Sequence, residues 1–462
     1  MTASPLRVAV VGAGPAGFYA AEHLLRQERP VTVDLFDRLP TPFGLVRGGV
    51  APDHPKIKSV TRVYDKVAAH PGFRFFGNVT AGRDLTVDDL ARHYHAVVWA
   101  VGAEAERRLE IPGEDLAGSH TATEFVAWYN GHPDFRDRPF DLSQETAAVV
   151  GVGNVAMDVT RILASDPGEL ARTDIAGYAL EALRASRVRT IYLLGRRGPA
   201  QAAFTNPELK EFGELSLADV VVRPEDLVLD PATRAALDAA PDREAEKNLK
   251  TLQGFVERGL LGRPRRIEFR FCTSPLRLEG AGRVERIVLG ANRLEAGARG
   301  VQAVPTGAEE SVPVGLVFRS VGYRARPVPG VPFDAHRAVI PNDRGRVIAS
   351  AGGAVVPGWY VAGWIKRGPS GVIGTNKPDA AETAERLLED AERGALPLPA
   401  EPAPEAVWNT LRSRGVEVVT WTDWQALDAH EVAAGTARSA PRDKVTDTGE
   451  MLAIIRGARQ RR

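Results

Sequence analysis

The chain has 462 residues, 44% of them hydrophobic, and its 59 basic residues balance 59 acidic ones. That length suits roughly two or three domains with ample buried cores, and zero net charge gives no global attraction to nucleic acid or to a membrane surface. The single cysteine, Cys272, excludes a disulfide framework, an intrinsic iron–sulfur cluster and a redox Cys-x-x-Cys pair.

No apolar run approaches a membrane span, and the first predicted strand begins near Arg7, leaving no room for a signal or transit peptide; a cytoplasmic chain is expected. That strand, Arg7 to Val11, runs straight into Gly12-Ala13-Gly14-Pro15-Ala16-Gly17 and then into the helix-forming residues Phe18 to Arg26. In such a sequence the first glycine makes a tight turn and the second lets a pyrophosphate approach the backbone. The helix start then aims free N–H groups at the negative charge. A second strand, Val31 to Phe36, ends at Asp37, an acid at the spacing that accepts hydrogen bonds from the ribose hydroxyls of FAD or NAD.

The stretch Leu39 to Pro55 is dense in glycine and proline and reads as a rigid, extended loop that can wrap a ligand. His54 lies within it between Pro52 and Pro55, and residue type alone favours a structural role. An apolar strand over His95 to Val101 then closes at Gly102, with Ile111-Pro112-Gly113 beyond it; Leu316 to Val321, Gly322 and Pro329-Gly330 repeat that order much later. The two strands read as exits between units. They predict a first unit at residues 1–105 and 326–395 that is interrupted by a second at 106–325.

The insert opens its own loop: Ala147 to Val150, then Gly151-Val152-Gly153-Asn154-Val155-Ala156, then the helical residues Met157 to Ala164. Its next strand, Arg189 to Leu194, ends in Gly195-Arg196-Arg197-Gly198, with no acid in the equivalent place. Planar guanidiniums match the oxygens of a 2′-phosphate, so this site reads as NADP(H). Residues 224–262 read as exposed helices, and Arg265 to Phe271 and Glu285 to Leu289 as strands. After the insert, Trp359 to Pro378 is a strand ending at Gly363, a glycine loop, and a helix beginning near Pro378. Beside a flavin it would set N–H groups and a helix N-terminus at the pyrimidine edge. Residues 396–405 form a proline-rich linker. The tail contains Trp408, Trp421, Trp424 and Leu427, of which the last three recur at helical spacing and should pack on the body; Arg459, Gln460, Arg461 and Arg462 should be frayed and solvated. The predicted fold class is α/β, with two Rossmann-like dinucleotide-binding domains, the NADP domain inserted into the FAD domain. Two such sites in one chain bring two redox cofactors together, which predicts hydride or electron transfer.

Pro40-Thr41-Pro42-Phe43-Gly44-Leu45-Val46-Arg47, Val50-Ala51-Pro52-Asp53-His54-Pro55, Gly153-Asn154-Val155-Ala156-Met157-Asp158, Gly195-Arg196-Arg197-Gly198-Pro199 and Gly363-Trp364-Ile365-Lys366-Arg367-Gly368-Pro369 carry a resemblance. Over residues 1–379 the chain resembles the adrenodoxin-reductase type of ferredoxin–NADP reductase, bacterial branch. Trp364 after the glycine, where most two-nucleotide flavoproteins have aspartate, fits that family. The resemblance implies that Gly12, Gly14, Ala16, Gly17, Asp37, Leu45, Val101, Gly102 and Trp364 line an FAD site, with Gly371, Val372 and Ile373 near the ring. It implies Asn154 and Val155 at the NADP pyrophosphate, Arg196 and Arg197 at its 2′-phosphate, Glu208 near the nicotinamide, and His54 and Asp158 as catalytic aids at the flavin. The pair Asn206-Pro207 before Glu208 departs from the family pattern.

The implied activity is hydride transfer from NADPH to FAD, then single-electron transfer to an acidic iron–sulfur ferredoxin. A monomer is expected, with no metal site. Arg263, Arg265, Arg266, Lys247 and Lys250 form a candidate docking patch. The alternatives are an NADPH diaphorase with a quinone or partner-subunit acceptor and, from another class, a nucleotide-sensing binding protein without turnover. The chain lacks the Phe-x-Gly-x-x-x-His string of a flavin monooxygenase.

Overall fold

The computed structural model of the chain describes residues 5–298 and 300–462. Its first strand, β1 (Leu6–Val11), is buried at every position, as a parallel strand covered on both faces must be. Val8 and Val10 pack on one side with the helix α1 (Pro15–Leu25), while Ala9 and Val11 enter a separate core on the other. β2 (Val31–Phe36) pairs in parallel with β1, the edge strand β3 (Phe73–Phe76) with β2, and β4 (Ala96–Trp99) with the opposite side of β1. The glycine–proline stretch after β2 differs from its expected extended form. It contains two single-turn helices, α2 (Leu45–Gly48) and α3 (Pro55–Lys58). Gly44, at φ +48°, turns the chain into the first, and Pro55 presets φ at the start of the second.

The chain leaves this sheet through β5 (Ala105–Glu106) and builds a second, all-parallel sheet from β6 (Ser119–Thr121), β7 (Thr146–Val150), β8 (Thr190–Leu194), β9 (Ala218–Val221) and β10 (Arg265–Arg270). A three-stranded antiparallel sheet comes next, of β11 (Thr273–Glu279), β12 (Arg286–Gly297) and β13 (Gly300–Pro313). β12 reaches well beyond the expected Glu285 to Leu289; its outer half is largely exposed and carries no apolar alternation by which a sequence would reveal it. β14 (Leu316–Arg319) then enters the second sheet, giving the order β6-β14-β7-β8-β10-β9. β15 (Tyr323–Arg324) pairs antiparallel with β5, so the two crossings lie side by side. Finally β16 (Asn342–Asp343), β17 (Arg346–Ile348) and β18 (Val355–Val361) complete the first sheet, β18 lying parallel against β4.

The second unit also contains the helices α4 (Asn154–Ala164) and α5 (Asn206–Glu214). α6 (Asn376–Glu392) covers the first sheet beside α1. The tail supplies α7 (Pro404–Ser413), α8 (Trp421–Ala437) and α9 (Thr448–Gln460). Trp424 and Leu427 are buried in the first core, and Trp421 stands edge-on to Phe18, Phe73 and Phe75; Trp408 packs on Phe76. The chain end is not frayed as expected: α9 runs to Gln460, and Arg459 forks onto the buried Asp423 at 3.0 and 2.7 Å. Asp423 closes the capping box of α8 and needs a cation once buried. Arg47 forks onto the fully buried Glu431 of α8. Asp174 takes Lys58 at 2.6 Å and Lys444 at 3.1 Å, joining three distant parts of the chain. Among the described residues no helix is long and apolar enough to cross a membrane.

Candidate dinucleotide and redox site

The two glycine loops are built alike. Gly12 and Gly151 have φ of +111° and +126°, and a Cβ on either would lie within 2.4 Å of a backbone carbonyl, that of Ala100 or Ser320. A Cβ on Gly14 or Gly153, by contrast, would meet no atom within 4 Å, so both loops present an open cradle. α1 and α4 begin at these cradles with no side-chain cap on their first N–H groups. The helices Val87–His93 and Ala122–Tyr129, and α8, all start with complete capping boxes at Thr86, Thr121 and Thr420. Uncapped N–H groups behind an open cradle fit a bound pyrophosphate. Asn154 and Val155 form the first turn of α4, and the Asn154 side chain accepts the Thr205 N–H at 2.8 Å, tying the loop to α5.

The strands beyond the two cradles end in opposite charges. Asp37, after β2, accepts the N–H groups of Ala13 and Leu39, both at 2.9 Å. Burial pushes its carboxyl up to about 6 against those two bonds, and its remaining lone pairs suit ribose hydroxyls. After β8, burial and the neighbouring charge of Arg196 lower the Arg197 guanidinium, and no acid offsets them. Two cations crowded together without a carboxylate fit a phosphate.

The residues expected at the flavin come from four segments. Ala16 opens α1, and its Cβ is 2.6 Å from where a Cβ on Gly363 would lie; Gly44, just before Leu45, backs onto Gly14. Val101 and Gly102 follow β4 after one intervening residue, Ala100. Gly363 N–H donates to Asp379 at 2.6 Å, and the buried Lys366 bridges Asp379, Glu382 and Thr383. Trp364 lies 5.1 Å from the Tyr323 ring, with its indole Nε1 buried and unpartnered. Gly371 and Val372 are exposed and Ile373 is half-buried, just ahead of α6. An orphaned donor beside this loop fits a heteroaromatic cofactor with acceptor atoms.

Between the two units lies a cluster of charges. His54 Nε2 is 3.0 Å from Glu211 Oε2 and 3.8 Å from Glu208, and Nδ1 is 3.9 Å from Asp158. The three residues singled out in the sequence are thus brought together, although only Glu211 is in hydrogen-bond reach of the ring. At the centre sits Arg161, its side chain 4% exposed. It forks onto Asp53 at 2.7 and 3.0 Å, and reaches Asp158 at 2.7 Å, Glu211 at 3.1 Å and Glu208 at 3.2 Å. Burial raises Asp158 above the usual carboxylate range; burial and then Asp158 push Glu208 up to about 7. Burial works against a charged His54, but the bond to Glu211 and the charges of Asp158 and Asp53 outweigh it and raise the ring. Arg161, Glu211 and Asp53 were not singled out from sequence. Arg161 lies three residues beyond Asp158, and Glu211 three beyond Glu208, so helical spacing alone shares their faces. Asn206 is buried, its side chain donating to Asn248 and Thr251 of the helix Arg243–Arg258.

Two glycine-loop folds in one chain, with charges gathered between them, define a two-nucleotide oxidoreductase fold. The family model described as pyridine nucleotide-disulphide oxidoreductase matches residues 6–169. The chain is 47% identical to NADPH-ferredoxin reductase FprA of Mycobacterium tuberculosis, covering 97% of this chain and 99% of that one. It is 43% identical to the mitochondrial NADPH:adrenodoxin oxidoreductase of Salvelinus fontinalis, over 98% and 92%. The solved structure of the M. tuberculosis FprA in complex with NADPH superimposes with a TM-score of 0.91 at 46% identity, covering 98% of this chain and all of that one. A histidine-to-glutamine variant of that protein gives 0.92. The chain belongs to the adrenodoxin-reductase type of ferredoxin–NADP reductases, and the likeness extends through the tail.

Proposed function

We propose that the chain is an FAD-dependent NADPH:ferredoxin oxidoreductase of the cytoplasm, acting as a monomer. Residues 1–105 and 326–395 are assigned to FAD, 106–325 to NADP(H), and 396–462 to a linker and helical tail. The observation that carries this reading is the charged cluster built across both units. Asp158 and Arg161 stand on α4, which starts at the second cradle, while Asp53 and His54 come from the loop that wraps the first.

A bound FAD would supply the chemistry that joins a two-electron hydride donor, NADPH, to a one-electron acceptor. The protein's own part is orientation and charge. The uncapped starts of α1 and α4 hold the two pyrophosphates, Asp37 the ribose, and Arg196 and Arg197 the 2′-phosphate. Asn154 couples the second cradle to α5 and so to Glu208. Glu208, His54 and Glu211 set the charge at the nicotinamide end, and Arg161 fixes their positions. Trp364, Leu45, Val101, Gly102, Gly371, Val372 and Ile373 are assigned to the walls of the flavin site. Of the candidate docking patch, Arg263 and Arg265 donate to the carbonyls of Ala218, Leu163 and Ser165. Lys247, Lys250 and Arg266 are the exposed members left to steer an acidic ferredoxin.

The test is NADPH-driven cytochrome c reduction with a titrated acidic ferredoxin. Large, saturable stimulation is expected, with a salt dependence that weakens when Lys247, Lys250 and Arg266 are neutralised. A rate indifferent to ferredoxin, beside good turnover of quinones or dyes, would leave a diaphorase instead.

A further inference from the structure

The loop that carries Arg196 and Arg197 is held from behind by the antiparallel sheet. The Gly195 carbonyl accepts the Thr273 N–H at 2.9 Å, and the Arg197 carbonyl accepts the Cys272 N–H at 3.0 Å. The carbonyl between them, that of Arg196, is held by a side chain, Nδ2 of Asn292 at 3.0 Å. The same amide nitrogen donates to Ser274 Oγ at 2.8 Å, which fixes its direction. Asn292 sits where the register of β12 against β13 shifts, and such a bulge re-aims a side chain. Its own N–H donates to the Cys272 carbonyl at 2.7 Å, and Cys272 holds φ at +51°, a conformation rare outside glycine. Strain and irregular pairing thus meet behind one peptide, the one joining the two arginines. If that peptide turned, both guanidiniums would be re-aimed.

We infer that Asn292 is a positioning residue for Arg196 and Arg197, and that preference for NADPH over NADH depends on its bond to the Arg196 carbonyl. The inference rests on the NADP(H) reading of the second site. The backbone bonds at Gly195 and Arg197 do not involve the Asn292 side chain, so its replacement leaves the sheet paired.

The experiment measures binding of 2′,5′-ADP and of ADP to the flavin-loaded protein by calorimetry. Asn292→Leu keeps the branched shape and removes the donor. It should weaken 2′,5′-ADP by roughly tenfold, the worth of one good hydrogen bond, while ADP binding, the melting temperature and kcat at saturating NADPH stay as they are. Ser274→Ala, which only frees the amide, should give a smaller loss of the same kind. Equal losses for both nucleotides, or no loss for either, would overturn the inference. Arg196→Gln with Arg197→Gln is the reference: if 2′,5′-ADP binding survives it, the phosphate lies elsewhere, and the inference falls together with the reading beneath it.

Discussion

Replacing Arg161 by methionine keeps the length of the side chain and removes the cation from among Asp53, Asp158, Glu208 and Glu211. All four carboxylates lie within 3.2 Å of its guanidinium, which is 4% exposed. Breaking a buried ion pair from one side costs about 3–5 kcal/mol, because the remaining charge is stranded. Here the stranded groups can escape by taking up protons, so the cost must depend on pH. Glu208 already stands near 7 in the folded protein against an ordinary value of 4.5. Between those values the folded state binds more protons than the unfolded one, so its contribution to stability falls as pH rises. Without Arg161 the other acids join it and the window widens upward. Thermal unfolding followed by tryptophan fluorescence should show a large loss at pH 8 and a smaller one at pH 6. At about 2–4 °C per kcal/mol for a domain of this size, the pH 8 loss is on the order of 10 °C. A loss equal at both pH values, or greater at pH 6, would refute the claim that Arg161 is the counterion of the cluster.

The same geometry sets three other outcomes. Arg196→Gln with Arg197→Gln should raise the KM for NADPH by roughly a hundredfold, two charge-assisted bonds being lost, and leave NADH turnover unchanged; parallel losses would mean the phosphate has been misplaced. As pH rises through about 7 and Glu208 gains its charge, the affinity for NADP+, whose nicotinamide ring carries a positive charge that NADPH lacks, should rise relative to NADPH by up to roughly fivefold. Titrations at pH 6 and 8 read this directly, and Glu208→Gln should flatten it. Glu431→Ala strands the Arg47 guanidinium beneath α8 and should cost about 3–5 kcal/mol; tryptic release of the tail should quicken, and unaltered cleavage would deny that this pair holds the tail down.

Much of the fold was legible because its elements are buried on both faces. β2 falls at Val31–Phe36 as predicted, and both glycine loops announce themselves by spacing between a strand and a helix. Other features have no local signature. The single turns α2 and α3 are too short for any period to show. The outer half of β12 is exposed and therefore unpatterned. Arg459 looked like frayed charge because its partner, Asp423, is 36 residues away and buried only by packing. The centre of the cluster was hidden for the same reason: Arg161 is three residues from Asp158, but its bonds to Asp53, Glu208 and Glu211 exist only once α4, α5 and the loop after β2 are assembled.

The order of strands also sets a timetable for synthesis. β4 gains its neighbour β18 only when residues 355–361 have left the ribosome, and by then every strand of the inserted sheet has been made. The inserted unit can therefore reach its final topology while the surrounding one still has an open edge. The knot of Lys58, Asp174 and Lys444 waits longer, for a lysine 18 residues from the end of the chain. A nascent chain stalled before that point carries Asp174 and Lys58 without their third partner, and a ribosome-bound series should show the inserted unit resisting protease first and the surrounding unit only once Lys444 has emerged.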